Sequence, residues 1–357
     1  GDDPEGFMEL PEWIDYLDSY AEFVDPPVKE GVGVTSVEPA EVEGRFIVHT
    51  DENDYIASNV VVAAGTFQEP SIPTFSEDLK GDIMQIHSSE YSNPKQLPEG
   101  GVLVVGSAQS GCQIAEELNQ AGREVYLSTS AVRRLPRTYR GVDSMDWMGR
   151  MGIIDQTVDE LESPAQRFAP NPHVSGKDGG HTINLHRFAE EGIHLLGHLE
   201  DGNDTRLEFA DDLHENLKFA DKFAEEFMQG VDKFSEKAGL DVPEEDKPEL
   251  STGYDVPIQS ELDLEKEGIS TIIWATGYDF DFSWVDFPIY DKFGYPKQER
   301  GVTEIPGLYF LGLHWLHTIK SGLQVGVGDD AEHIASTMQS RERSEPSVES
   351  AGETSHA

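Results

Sequence analysis

The feature that most constrains the fold of this chain is a short apolar strand that leads directly into a glycine-containing turn and a helix, within residues 101–128. The strand is Val102-Leu103-Val104-Val105, and the turn is Gly106-Ser107-Ala108-Gln109-Ser110-Gly111. A helix opens around Ile114–Leu118, and Glu124–Leu127 has the composition of the next strand. This order predicts a βαβ unit whose first turn is a nucleotide-binding loop.

Each position of this loop has a physical role in dinucleotide binding. Gly106 permits the tight turn, and Gly111 allows the helix to pack closely on the strand. The N-terminus of the helix offers its N–H groups and the positive end of its dipole to a pyrophosphate. The middle position is Ala108, whose methyl group narrows the approach of the backbone to the phosphates. We therefore predict a dinucleotide site, with an ordinary glycine-rich strand–helix turn as the alternative.

The residues after the second strand indicate which dinucleotide binds. NAD sites normally place an acidic residue about 20 residues after the loop, where it bonds the ribose hydroxyls. Here the strand ends in Leu127-Ser128-Thr129-Ser130, and Arg133 and Arg134 follow. Hydroxyls and arginines suit a 2′-phosphate, through charge-assisted hydrogen bonds. We predict NADP, with the alternatives that these arginines pair with surface acids or that Arg137 or Arg140 shares the role.

Two further apolar strands end in small residues, Ala64-Gly65-Thr66 and Ala275-Thr276-Gly277-Tyr278. Small residues let the backbone pass close to a bound dinucleotide, where a larger side chain would collide. A plain tight turn is the alternative for each one alone. Because the two stretches bracket the nucleotide loop, we expect them to mark crossings between an outer domain and an inserted one. The predicted fold class is α/β, with two Rossmann-like dinucleotide-binding domains.

The last strand and helix predict a second cofactor contact. Gly307–Gly312 has the composition of a strand, and a helix is expected to open near Gly322 and to run to Met338. The stretch Lys320-Ser321-Gly322-Leu323 precedes this helix. A helix N-terminus directed at the pyrimidine edge of a flavin would stabilise the negative charge of reduced flavin. The alternative is that Ser321 only caps the helix.

Other segments give coarser predictions. Residues 8–25 have helical spacing, and strands are expected around 32–38 and 45–50. The run Asn59–Ala64 reads as a buried strand. Residues 145–240 are expected to be mainly helical. The acidic stretch 241–257 predicts an exposed loop, and the Ser- and Glu-rich end of the chain predicts disorder.

The charge balance excludes some partners. The chain has 69 Asp and Glu residues against 26 Lys and Arg residues, a formal net charge of -43. Such a field repels phosphate backbones and anionic lipids, so neither nucleic acid nor a membrane is an expected partner. Dispersed acidity suits a salt-rich cytoplasm, which predicts a halophilic source such as a haloarchaeon; an acidic mesophilic protein is the alternative. Since no secretory signal is recognisable, a cytoplasmic location is expected.

Cysteine and histidine usage predicts neither a disulfide nor a metal site. Cys112 is the single cysteine and is expected to pack as a small apolar residue. Disulfide reductases with two dinucleotide sites use a cysteine pair, so that chemistry is excluded for this chain acting alone. His87 is expected to be structural. The remaining histidines considered show no metal-like convergence: His181, His186, His194 and His198.

Together these features resemble the flavin-containing monooxygenase superfamily, over about residues 4–338. The resemblance is strongest to bacterial and archaeal CzcO-like flavoproteins and extends more distantly to plant YUCCA enzymes. The matching stretches are Asp3–Met8, Gln85–Tyr91, Val104–Gly111, Leu135–Gly141, Trp274–Tyr278 and Leu311-Gly312-Leu313. In the linker, Gly81 and His87 lie two residues further apart than in the family's pattern, and Leu79 replaces its aromatic residue. The family's first strand–G-x-G-x-x-G–helix unit, of at least ~30 residues, is expected to precede this chain, which predicts an N-terminally truncated fragment.

The resemblance implies FAD and NADP(H) as cofactors. NADPH would reduce FAD, and dioxygen would then form a C4a-(hydro)peroxyflavin that oxygenates a small organic substrate. It places the FAD contacts at Ala64–Thr66, Gly312, Leu313 and Ser321–Leu323, and it identifies no catalytic side chain. The alternatives are a non-catalytic NADP-binding fragment and an NADPH-dependent flavoprotein reductase. A homodimer is left open.

The implied domain order is an NADP domain inserted into an incomplete FAD domain. Residues 1–72 would form the first part of the FAD domain, without its first βαβ unit. Residues 73–267 would form the NADP domain with a helical insert. Residues 268–340 would complete the FAD domain, and residues 341–357 would be a disordered tail.

Overall fold

The computed structural model describes residues 6–245 and 250–344. Predictions that concern Asp3 to Glu5 or residues 345–357 lie outside these ranges. The α-helices are α1 (Leu10–Val24), α2 (Gln109–Gln120), α3 (Ser144–Arg150), α4 (Leu185–Glu190), α5 (Leu213–Ala238) and α6 (Gln324–Ser344). Short 3-10 helices span Thr74–Asp78, Pro94–Gln96, Ile153–Asp155, Val158–Glu160, Pro164–Phe168, Lys177–Gly179 and Thr252–Asp255.

The strands are numbered in chain order. In the first half they are β1 (Val34–Pro39), β2 (Phe46–Thr50), β3 (Tyr55–Ala57), β4 (Val60–Val62), β5 (Glu69–Pro70), β6 (Met84–His87), β7 (Gly101–Val105), β8 (Val125–Ser128), β9 (Thr138–Tyr139) and β10 (Val142–Asp143). In the second half they are β11 (His194–Leu196), β12 (Leu199–Asn203), β13 (Arg206–Phe209), β14 (Glu261–Asp263), β15 (Ile269–Trp274), β16 (Tyr278–Asp279), β17 (Gln298–Glu299), β18 (Val302–Thr303) and β19 (Leu308–Phe310).

The described residues form two compact units. One contains residues 6–27, 69–153 and 169–279, and the other contains residues 28–68, 154–168 and 280–344. The chain therefore passes between the units several times. The domain boundaries expected at residues 72 and 267 stay a prediction.

The first unit is built on a parallel sheet of five strands in the order β11-β8-β7-β15-β6. Side chains of β7 alternate between two cores, because a parallel sheet is covered on both faces. Val102 and Val104 pack in one core with Leu118 of α2, whereas Leu103 and Val105 pack in the other. This arrangement explains the unbroken apolar run of β7 and confirms the α/β prediction.

The second unit contains a four-stranded sheet, β17-β18-β19-β4, and a three-stranded antiparallel sheet, β1-β2-β3. Its core includes Val37, Phe46, Val62 and Phe310. The prediction that the run ending at Ala64 is a buried strand leading into a turn is confirmed in part: β4 forms over Val60–Val62 and Val62 is buried, but the strand is not buried on both faces. Val61 points to the opposite face of β4 from Val62 and is 38% exposed.

The predicted helix at 8–25 and strands at 32–38 and 45–50 are confirmed as α1, β1 and β2. Helix α1 begins with a reciprocal capping box between Glu9 and Glu12, which satisfies N–H groups of its first turn. No residue of α1 is buried. No helix among residues 6–245 and 250–344 is long and apolar enough to cross a membrane.

The prediction that residues 145–240 are mainly helical, with loops between, is confirmed only in part: α3, α4, α5 and four short 3-10 helices lie in this range, but three strands do as well. Before α5, only α3 and α4 are helical for two turns or so, and β11, β12 and β13 lie between them and α5. Leu199, Leu207 and Phe209 are buried while their neighbours are more exposed, which is the two-residue period of a strand rather than a helical one. Helix α5 is the longest helix of the range and matches the prediction best.

The segment 241–257 and the C-terminal helix also differ in part from what the sequence predicts. The segment 241–257 was expected to be exposed, but Gly253 is buried and donates its N–H to Nδ1 of His186 at 3.0 Å. Residues 246–249 lie outside the described ranges. Helix α6 begins at Gln324, two residues after the predicted start, and runs to Ser344, four residues into the segment expected to be a tail.

Candidate functional site

The turn between β7 and α2 is held by two glycines that no larger residue could replace without displacing backbone. Gly106 has a φ of +104°, and a Cβ there would lie 2.5 Å from the carbonyl oxygen of Ala275. A Cβ on Gly111 would lie 1.8 Å from the carbonyl oxygen of Gly106. Because neither glycine has a side chain, α2 can lie against the ends of the strands. This is the close helix–strand packing that a dinucleotide loop requires.

The N-terminus of α2 leaves its N–H groups free for a ligand. Ala108 is the N-cap residue in an extended conformation, and its side chain accepts no hydrogen bond. Within the described part of the chain, no acceptor contacts the N–H groups of Gln109, Ser110 or Gly111. Free amides at the positive end of a helix dipole can donate hydrogen bonds to an anion such as a pyrophosphate.

The polar side chains of Ser107 and Gln109 already form hydrogen bonds with other residues of the protein. Ser107 is buried, and its Oγ accepts the N–H of Ser130 at 2.9 Å. The side-chain amide of Gln109 binds both backbone groups of Val174, at 2.8 and 2.9 Å. These side chains therefore shape the loop, and its backbone is left to face a ligand.

The arginines predicted to read a 2′-phosphate have different partners. Arg134 donates to Asp221 at 2.6 Å, and Arg140 pairs with Asp232 at 2.6 Å. Arg137 is buried and binds Asp143. Arg133 is half-buried over the ring of Phe223, 5.5 Å from its centroid, and no carboxylate of the described residues pairs with it. Of these four arginines, Arg133 is the one for which the described residues provide no carboxylate partner.

The hydroxyl groups of Ser128 and Thr129, expected beside these arginines, form hydrogen bonds within the parallel sheet instead. Ser128 Oγ donates to the carbonyl oxygen of Gly197 at 2.9 Å, and Thr129 Oγ1 donates to that of Leu196 at 2.7 Å. Both residues are buried. They join the ends of β8 and β11, and this use could not be read from their order in the sequence.

Asp221 fixes Arg134 through a shared set of hydrogen bonds. Its carboxylate also accepts His186 Nε2 at 2.9 Å and the Tyr254 hydroxyl at 2.7 Å. Burial acts to raise the pKa of Asp221, but the bonds from His186, Tyr254 and Arg134 outweigh it and lower the pKa to about 2. The carboxylate is therefore charged whenever the protein is folded near neutral pH.

The small residues after β15 complete the site in the first unit. Ala275 lies against the loop, with its Cβ 3.2 Å from a Cβ built on Gly111. Gly277 has a φ of +86° and open space where a side chain would stand. Its carbonyl oxygen accepts Nε2 of the fully buried His87 at 2.9 Å. The Thr276 hydroxyl donates to Ser71, and the ring of Tyr278 packs edge-on to His87.

The residues predicted on the flavin side all lie in the second unit. Gly65 and Gly312 have φ values of +69° and +75°, and a Cβ on either would meet nothing within 4 Å. Thr66 is buried, and its Oγ1 lies 3.2 Å from Nδ1 of His314. Ala64 is exposed and Leu313 is buried. His314 is missing from the sequence-based set, because nothing in the sequence relates it to a threonine 248 residues away.

The stretch before α6 is a tight turn. Ser321 is buried, and its Oγ accepts the N–H groups of His317 and Thr318 at 3.0 Å each, so it does not cap α6. Gly322 packs on His314, and a Cβ there would lie 2.8 Å from its Cδ2. Leu323 is 37% exposed. Burial lowers the pKa of His314, which keeps this imidazole neutral.

Cys112 is enclosed in the first unit. Its thiol is fully buried, and Sγ lies 3.2 Å from the carbonyl oxygen of Ser107. Burial raises the pKa of this thiol well above its usual range. Among residues 6–245 and 250–344, no group of His, Cys, Asp or Glu side chains is arranged to hold a metal ion.

Comparison with known proteins shows which families this chain is similar to. A family model described as pyridine nucleotide-disulphide oxidoreductase matches residues 5–140. An uncharacterized CzcO-like oxidoreductase from Geobacillus kaustophilus is 32% identical over 334 residues, which cover 93% of this chain and 78% of that protein. A probable indole-3-pyruvate monooxygenase from Arabidopsis thaliana, YUCCA3, is 32% identical over 40% of this chain and 36% of its own length.

A solved structure shares the fold. The flavin-containing monooxygenase from Stenotrophomonas maltophilia superposes with a TM-score of 0.56 and 16% sequence identity, over 92% of this chain and 76% of that one. At this level of identity the likeness concerns the fold alone.

Proposed function

The chain belongs to the family of the CzcO-like oxidoreductases, and we propose that it is an FAD- and NADPH-dependent oxidoreductase of the flavin monooxygenase type. In this proposal it oxygenates a small organic substrate with dioxygen. The observation that carries the proposal is the loop in which Gly106 and Gly111 are in contact and the first amides of α2 are free. That geometry supports a bound dinucleotide on this chain's own residues.

The first unit has the donors that NADPH requires. The pyrophosphate would lie at the N–H groups of Ala108 to Gly111, and Gly277 leaves open space beside the loop. Arg133 would bind the 2′-phosphate, because it is the arginine near the end of β8 without a carboxylate partner among the described residues. A guanidinium binds such a group with charge-assisted hydrogen bonds.

The second unit offers a surface that suits a planar cofactor. Gly65 and Gly312 both have positive φ and open space in place of a side chain, so a ring system can approach their backbone. We assign Ala64, Thr66, Leu313 and Ser321–Leu323 to the same FAD surface. Bound flavin supplies the transfer of electrons from NADPH to dioxygen, and these residues would hold it and exclude water.

A second candidate function rests on a specific observation. Within residues 28–68, 154–168 and 280–344, no G-x-G-x-x-G loop follows a strand, whereas the first unit has a complete loop of the G-x-A-x-x-G form. The complete loop of the first unit supports, as the second candidate, an NADP-binding protein that does not itself hold flavin. A flavoprotein reductase that makes no oxygenated product is the other alternative.

The experiment that separates these functions follows NADPH, dioxygen and product together. Purified protein with FAD is supplied with NADPH, isotopically labelled dioxygen and candidate thioethers, amines and ketones. A monooxygenase consumes NADPH and forms labelled product in equal amounts. Formation of hydrogen peroxide without oxygenated product identifies a reductase. Absence of NADPH oxidation with every candidate substrate identifies a binding protein. The Gly111→Ala variant is measured for comparison, because a Cβ at Gly111 would lie 1.8 Å from the Gly106 carbonyl oxygen and displace the loop.

A further inference from the structure

A segment that carries no recognisable motif is bound tightly to the nucleotide loop. His173 is 2% exposed, and its Nε2 donates to the carbonyl oxygen of Ser107 at 2.6 Å. The next residue, Val174, exchanges two hydrogen bonds with the side chain of Gln109. Because a carbonyl oxygen only accepts, the imidazole proton is on Nε2. Three hydrogen bonds thus join two consecutive residues to the loop.

The bond to Ser107 sets the direction of the next amide. A peptide unit is planar and trans, so the C=O of Ser107 and the N–H of Ala108 point in opposite directions. The oxygen of Ser107 is held inward by His173 Nε2 and by the thiol of Cys112, at 2.6 and 3.2 Å. The N–H of Ala108 is therefore directed to the opposite side, and no described acceptor takes it.

The same histidine is connected to the arginine assigned to the 2′-phosphate. The backbone N–H of His173 donates to the carbonyl oxygen of Arg133 at 3.0 Å, and Arg134 and His173 pair as an isolated parallel bridge. His173 consequently bonds to the loop through its side chain and to Arg133 through its backbone. His173 therefore links the nucleotide loop to the backbone of Arg133.

We propose that His173 is a positioning residue for NADPH: it orients the Ser107–Ala108 peptide toward the pyrophosphate and holds it at a fixed distance from Arg133. This inference rests on the proposed binding of NADPH to the first unit. It adds to the cofactor site a residue that lies 66 positions after Ser107 in the sequence and contacts it in the structure. Because His173 is buried and bonds to the carbonyl oxygen of Ser107, it would act on the cofactor through the loop, and its effect would be on affinity and geometry.

The test is a set of NADPH titrations of the full chain, read by protein fluorescence and therefore independent of turnover. His173→Leu removes the donor, and His173→Asn keeps a polar side chain that does not reach Ser107. His173→Gln restores a donor near the position of Nε2. His198→Leu is the control, because His198 is exposed and its ring has no hydrogen bond within the described residues. Thermal unfolding of each variant is recorded in parallel.

We expect His173→Leu and His173→Asn to raise the Kd for NADPH about tenfold, roughly 1.4 kcal/mol. His173→Gln should stay within about threefold of wild type, and His198→Leu should not change it. If His173→Leu does not fold, the Kd values of His173→Asn and His173→Gln are compared with each other instead. Equal Kd values for all folded variants, with only the unfolding temperature lowered, would overturn the inference. Wild-type protein that does not bind NADPH would instead refute the proposed function.

Discussion

Gly111 packs so closely on Gly106 that a Cβ at Gly111 would lie 1.8 Å from the Gly106 carbonyl oxygen. The Gly111→Ala substitution must therefore move α2 away from β7, and the free amides of α2 move with it. We expect the Kd for NADPH to rise at least about tenfold and the protein to lose about 1–3 kcal/mol of stability. Titration and chemical unfolding measure the two effects.

The control for this variant is Gly328→Ala in α6. A Cβ on Gly328 meets nothing within 4 Å, so the added methyl group is tolerated there. An unchanged Kd for Gly111→Ala would show that the loop does not bind the dinucleotide in this conformation.

Arg133 and Arg134 are adjacent, but we expect their substitution to have different effects. Arg133→Ala should weaken NADPH binding about tenfold or more and leave NADH binding unchanged, because a charge-assisted bond is worth about 1.5–3 kcal/mol. Arg134→Ala should mainly lower stability, because it removes a partner of Asp221. Parallel titrations with NADPH and NADH check this. If Arg134→Ala alone changes the preference for NADPH, the assignment of the 2′-phosphate to Arg133 is wrong.

Asp221 predicts a defined dependence of stability on pH. Its pKa is about 2 in the folded protein and about 3.9 in an unfolded chain, so folding favours the charged form. The resulting stabilisation, about 2 kcal/mol, is complete above about pH 4 and is lost as the pH falls through 2. The free energy of unfolding of Asp221→Asn should therefore lie below that of wild type at pH 7, and the difference should shrink toward pH 2. Asp82→Asn, at an exposed position, is the control, and a pH-independent difference would contradict the account.

The buried thiol of Cys112 predicts slow chemical modification. Burial removes access and raises the thiol pKa, so little thiolate is present. A maleimide should label the folded protein at least about a hundredfold more slowly than the unfolded protein. Rapid labelling of the native state would mean that Cys112 is reached by solvent and would reopen thiol chemistry for this chain.

Sequence patterns were sufficient where one short segment determines its own geometry. The run Val102–Val105 with Gly106 and Gly111 predicted the βαβ unit, because strand, turn and helix signals are all local. The small residues Gly65 and Gly277 were found for the same reason, and both have the positive φ that favours glycine.

The remaining features depend on contacts between distant segments. His173 reaches Ser107 across 66 residues, and Arg134 finds its acid 87 residues away. Neither pairing leaves a periodic or local signal in the sequence. Strands β12 and β13 are not predicted from the sequence, because they are short and their period of two extends over few residues.

The measurement that tests the central claim most directly is the visible spectrum of the purified chain after FAD is added and unbound FAD is removed. Concentrated KCl is used, because the net charge of -43 needs screening. NADPH is then added without oxygen, and air is admitted afterwards. The account predicts bound flavin that NADPH bleaches and air restores. A colourless protein that still binds NADPH would contradict it, and would leave this chain as an NADP-binding protein without flavin chemistry of its own.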